Sequence, residues 1–72
     1  MINLQEMNEK IHQVLQADEA SGFTQQTAER VLAVVKSYWQ EGDETIRNDI
    51  TQKLSRLEKS GVPFPENYLD TL

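Results

Sequence analysis

Gly22, Gly42 and Gly61 divide this chain at nearly even intervals, and each closes a segment whose apolar residues recur with a helical period. A left-handed residue commonly ends a helix, and glycine adopts that conformation without a Cβ clash, so all three glycines read as helix C-caps. The punctuation therefore specifies three helices, at about 4–19, 25–41 and 45–60, followed by a tail from 62 to 72. The expected fold is all-α: a three-helix bundle with two antiparallel hairpin-like connections and an extended, proline-containing C-terminal tail. Residues 1–61 form the domain, and the tail packs on the bundle or on a partner.

Seventy-two residues make one domain with a small core, because folding at this size buries only roughly 60% of the surface the unfolded chain exposes. The chain has no cysteine, which removes disulfides, thiolate metal sites and cysteine nucleophiles and makes a reducing, cytoplasmic setting the expectation. No apolar run approaches the ~20 residues a membrane span requires, and Met1 to Glu6 lacks the pattern of a secretory leader, so a soluble, unprocessed protein is expected.

Each helix carries its own start signal and stripe. Asn3 caps the first, with Glu6 at capping-box spacing and Ile2 and Met7 at the positions of a hydrophobic staple. Leu4, Met7, Ile11, Val14 and Leu15 then share an arc of about 100°, the width of a helix lying on a core. Asp18 and Glu19 in its last turn oppose the helix dipole and predict fraying there. In the second helix, capped by Thr24 with Phe23 before it, Ala28, Val31, Leu32, Val34, Val35, Tyr38 and Trp39 fill a broader arc of about 160°, which makes it central. The third starts near Asp43 or Thr45, and Ile46, Ile50, Leu54 and Leu57 form a narrow seam suited to helix pairing. Asp49 with Lys53 and Gln52 with Arg56 are spaced for i,i+4 contacts on its flank. Gly61 and Val62 suggest a Schellman stop, and Pro63 prevents continuation.

The tail holds Phe64, Tyr68, Leu69 and Leu72, too apolar a set for a passive linker. Pro63 and Pro65 bias their preceding residues toward extended backbone, after which Glu66 to Leu69 has the makings of one helical turn. Phe64 and Tyr68 either fold back to enlarge the core or serve as an arm that docks on a partner or sister subunit.

Reactive groups are sparse: one histidine, no cysteine and a small bundle point away from an enzyme and from any cofactor, metal or small-molecule substrate. His12 sits at the border of the first stripe as an ordinary boundary residue. The acids around Gly22 and Gly42 lack the alternating oxygen-ligand spacing of a calcium loop.

The net charge of −5 is unevenly placed, and the stretch 45–61, with four basic and two acidic residues, is the basic part of the chain. Overlapping it, Asp49-Ile50-Thr51-Gln52-Lys53-Leu54-Ser55-Arg56-Leu57-Glu58-Lys59-Ser60-Gly61-Val62 resembles the recognition helix of winged-helix DNA-binding domains, over about a fifth of the chain. The resemblance implies that Thr51, Gln52, Lys53, Ser55, Arg56 and Lys59 face the major groove or phosphates, with Ile50, Leu54 and Leu57 packed inward. The remaining sequence departs from that family: no short helix separates Trp39 from Ile46, and Val62-Pro63-Phe64-Pro65 leaves no place for a two-stranded wing. A plain helix-turn-helix would set Glu41, Asp43 and Glu44 beside a phosphate backbone that favours Lys and Arg.

The sequence therefore favours a non-enzymatic helical protein–protein interaction module, a small regulator, adaptor or inhibitor acting as a homodimer, with no membrane role. Tyr38, Trp39, Ile50, Leu54, Leu57, Phe64 and Tyr68 are the expected partner or dimer contacts, since aromatic and aliphatic anchors dominate interfaces. The alternative is a DNA-binding regulator that uses Gln52, Lys53, Arg56 and Lys59 of the third helix.

Overall fold

The computed structural model describes residues 3–72, and among them the fold is the expected all-α bundle: helices α1 (Leu4–Glu19), α2 (Gln25–Glu41) and α3 (Glu44–Lys59), then a 3₁₀ turn over Tyr68–Thr71. No strand occurs among the described residues, so the wing that the winged-helix resemblance would require is missing.

The caps explain where the helices begin. The Asn3 carboxamide oxygen accepts from the Glu6 amide at 3.1 Å. The Glu6 carboxylate does not return to the cap; it pairs with Lys10 one turn on, at 3.1 Å. Ile2, the other half of the proposed staple with Met7, lies outside the described residues. Asp43 caps α3 by accepting from the Ile46 amide at 3.1 Å, which starts the helix at Glu44.

The three glycines do different work. Gly61 has φ +115, and its amide donates to the Glu58 carbonyl while Val62 donates to Leu57, both at 3.1 Å. Those two bonds are the Schellman pair that satisfies the last carbonyls of a helix. Gly22 also has positive φ, at +89. Gly42 does not: its backbone is extended, φ −82 and ψ 153, which corrects the expectation of a left-handed cap. A Cβ at Gly42 would stand 2.7 Å from the Tyr38 carbonyl oxygen and 2.6 Å from Ile46 Cγ2. Glycine is required there because α2 and α3 approach closely across a link of only Gly42 and Asp43.

At the end of α1, where fraying is expected, one of the two acids has partners in the next helix. Asp18 turns its carboxylate toward the first turn of α2, where the Thr27 hydroxyl donates to it at 2.6 Å and Arg30 at 3.3 Å. Thr27 is fully buried, and its oxygen also accepts from the Thr24 amide at 3.1 Å. A charge that opposes the dipole of its own helix thus sits at the positive end of the next one, a favourable position.

Met7 and Ile11 of α1, Ala28, Val31, Leu32 and Val35 of α2, Ile50 and Leu54 of α3, and Val62 make the core. Cross-helix pairs orient the bundle: Lys10 lies over Tyr38 and Asp18 meets Thr27, so α1 and α2 are antiparallel. The tail runs along α2, with Pro63, Phe64 and Pro65 beside Gln25 and Glu29, and Thr71 and Leu72 beside Leu32, Ala33 and Lys36. Phe64, Tyr68, Leu69 and Leu72 are half-buried against the core. Its helical turn forms two residues later than expected, because Asn67 takes left-handed backbone (φ 61) before Tyr68. Asn is one of the few residue types that visit that region readily.

Candidate functional site

The seven proposed anchors do not converge. Ile50 and Leu54 are fully buried inside the bundle, so a monomeric bundle offers neither to a partner. Phe64 and Tyr68 stack on each other, ring centroids 5.0 Å apart and planes tilted by 31°, and both pack on the core. Burial pushes the Tyr68 phenol above its ordinary value of 10.0, with the Glu58 carboxylate adding to the shift. Tyr38 and Trp39 sit at the other end of α2, half-buried, and each has a cation on its ring: Lys10 Nζ at 5.7 Å from Tyr38 and Arg47 at 5.3 Å from Trp39. Arg47 is fixed there by donating from Nε to the Trp39 carbonyl at 3.0 Å. Such cation–π contacts cover part of the aromatic surface that a partner would use.

Leu57 is the anchor left in an open setting. It lies in a crevice between α1 and α3, lined by Asn8, Ile11, His12 and Leu15 on one side and Lys53, Arg56 and Leu57 on the other. Its volume is about 240 Å³, below the ~300 Å³ at which small-molecule pockets begin. The floor is apolar: Ile11 is buried, and Leu15 and Leu57 are half-exposed at its sides. The rim is basic, with Arg56 exposed and Lys53 half-buried, and no acidic residue belongs to the lining. Helical period explains the arrangement on each side. Asn8, Ile11, His12 and Leu15 stand at i, i+3, i+4 and i+7 on one edge of α1, and Lys53, Arg56 and Leu57 at i, i+3 and i+4 on α3.

Of the proposed nucleic-acid contacts, Lys53 and Arg56 belong to this crevice, whereas Gln52 and Lys59 are exposed elsewhere on α3. Asp49 and Lys53, spaced to pair, do not form an ion pair; those among the described residues are Glu6 with Lys10 and Asp18 with Arg30.

Sequence reasoning missed the α1 side of the crevice. Leu15 was legible as part of the first stripe and His12 as a residue on its border, but nothing in the periodicity says that this edge faces α3.

Other concavities are less promising as sites. Those of about 340 and 260 Å³ are the seams where the tail lies along α2. An open volume of about 630 Å³ over Gln5, Asn8, Glu9, His12, Gln13 and Gln16 has lining from α1 alone, so it is a helix surface with a floor and no opposing wall. Among the described residues, no group of three or more His, Cys, Asp or Glu is placed to hold a metal ion, and no helix is long and apolar enough to cross a membrane. Comparison of the chain with profiles of protein families, with curated proteins and with solved structures finds no match.

Proposed function

We propose that this chain is a small non-enzymatic protein–protein interaction module, a regulator, adaptor or inhibitor, and that the crevice between α1 and α3 is its binding face. One observation carries the reading: Leu15 and Leu57 stand half-exposed there on either side of buried Ile11, while the tail lies along α2 and leaves them uncovered. Apolar anchors in a shallow cleft with a charged rim are the usual anatomy of a protein interface. The crevice replaces the dispersed set of seven aromatic and aliphatic anchors, of which only Leu57 belongs to it.

The DNA-binding alternative uses the same Lys53 and Arg56 but leaves Leu15 and Leu57 without a role, since interfaces with duplex DNA are more polar and more basic than this floor. A homodimer uses the crevice in both copies, because a two-fold interface presents the same patch twice.

A photo-crosslinking residue placed at Leu57, with one at exposed Ser37 of α2 as control, tests the reading in native cell extract. Protein adducts specific to position 57 are expected. An adduct of twice the chain mass identifies the homodimer, and a different mass identifies a separate partner. Equal labelling from both positions, or none from 57, sinks the proposal, and a retained complex with duplex DNA at ~50 mM salt, where phosphate contacts are strong, replaces it by the alternative.

A further inference from the structure

We infer that the occupant of this crevice is an acidic amphipathic helix of a partner protein, an inference that rests on the reading of the crevice as the binding face. The shape argues for a helix. From Asn8 to Leu15 the groove follows α1 through eight residues, about 10 Å at the helical rise, or two turns. Helices laid into such grooves insert apolar side chains spaced at i, i+3, i+4 and i+7. At about 240 Å³, the cleft suits side-chain anchors rather than an enclosed small molecule. Those anchors would seat on Ile11, Leu15 and Leu57.

The charge argues for acid. This chain has 12 acidic and 7 basic residues, yet the charged residues of the groove lining are Lys53 and Arg56, with no carboxylate. Glu9 and Asp49, one turn N-terminal of His12 and Lys53 on the same helices, are outside the lining. Most of the net charge of −5 acts from beyond the ~8 Å at which charges are largely screened at physiological salt; Glu9 and Asp49 lie nearer and reduce the basic bias, which rests on Lys53 and Arg56 as the charges that a bound helix touches. A helix with Leu or Ile on one face and Asp or Glu on its flanks therefore matches both floor and rim. The tail of this chain shows the packing half of that chemistry, since Tyr68, Leu69 and Leu72 lie on the core from a segment that also carries Glu66 and Asp70.

The test is a selection from a randomised library of displayed 14-residue helical peptides on the immobilised full chain, at low and at physiological salt. Peptides with apolar residues at i, i+3 or i+4 and i+7, flanked by Asp or Glu, are expected to be enriched. Their binding should shift the NMR signals of Ile11, Leu15 and Leu57. The double variant Lys53→Glu/Arg56→Glu, checked by circular dichroism for an intact fold, should weaken these peptides at least tenfold at low salt and favour versions with Lys in place of Glu.

Enriched peptides that map to the groove but show no acidic bias, or that ignore the double reversal, overturn the inference and leave the groove as a binding face. Peptides that map to Tyr38 and Trp39 or to the tail seams, or no enrichment over bare support, overturn both. Light scattering that finds a dimer dissociated by the double reversal makes a second copy the occupant and overturns the acidic partner helix.

Discussion

Two flanks of the bundle begin from similar material and end differently. On one side, the tail lies along α2 and buries Val62 fully and Phe64, Tyr68, Leu69 and Leu72 by half. On the other, Leu15 and Leu57 flank a cleft that no part of the described chain fills. A small domain gains stability by burying apolar surface at about 25 cal/mol per Å², and this chain uses its aromatic tail residues to do so. That it does so on one flank alone separates surface used for folding from surface left for another molecule.

Predictions that break or sharpen this contrast run from the core outward. Leu54, fully buried in α3, sets the upper scale: Leu54→Ala should cost about 2–5 kcal/mol by urea denaturation, and a cost under ~1 kcal/mol would mean the bundle is looser than its packing indicates.

The direct test pairs the flanks. Phe64→Ala, on the tail side, should cost about 2 kcal/mol, less than the ~3–5 of a fully buried Phe because the ring is half-exposed. Leu57→Ala, in the open cleft, should cost under about 1 kcal/mol and mainly reduce partner binding. Equal losses of stability would erase the distinction between a folding flank and a binding flank.

Gly42 sharpens the comparison through geometry, since it fixes how α3 leaves α2. Gly42→Ala forces a Cβ against the Tyr38 carbonyl and Ile46, and should cost about 1–3 kcal/mol, as overpacking does. Gly22→Ala meets open space but must keep φ +89, so it should cost about 1 kcal/mol, through backbone strain. If Gly42→Ala proves neutral in thermal melts, the close approach at the link is not what positions α3.

Thr27→Val tests whether the Asp18 node locks α1, and with it one wall of the cleft, onto α2. Loss of the hydroxyl leaves the Thr24 amide and the Asp18 carboxylate short of a partner, and about 1–2 kcal/mol should follow. Unchanged stability in urea would assign the α1–α2 register to apolar packing alone.

The smallest effect concerns the closed flank at alkaline pH. Tyr68 is raised above 10.0 by burial and then by Glu58, so folding favours the neutral phenol. The associated stability is present below the unfolded value and is lost as pH rises through the higher folded value. Spectrophotometric titration should show one tyrosine ionising late, and Tyr68→Phe should remove that step and flatten the alkaline limb of the stability curve. A normal titration for Tyr68 would mean the tail is not held on the bundle.

The fold was largely legible because helix periods and caps are local. Asn3 and Asp43 act as caps, and Gly61 ends α3 with the bonds its sequence suggests. The misread positions are those whose role depends on a neighbour distant in sequence or across a link. Gly42 looks like Gly61 in the chain, but its lack of a side chain serves a close approach between helices rather than a positive φ. Asp18 looks destabilising within α1 until the start of α2 is beside it.

The candidate site was half legible. Lys53 and Arg56 stood out as basic residues of the third helix and Leu57 as part of its apolar seam, whereas Ile11, His12 and Leu15 looked like an ordinary stripe and its border. Sequence by itself determined which residues are helical, where each helix stops and which face of each is apolar, since those follow from backbone sterics and from 3.6 residues per turn. Only the tertiary structure decided which apolar edges meet, which one the tail covers and which one stays open. That outcome follows from packing between segments far apart in the chain, and the period of a single helix carries no record of it.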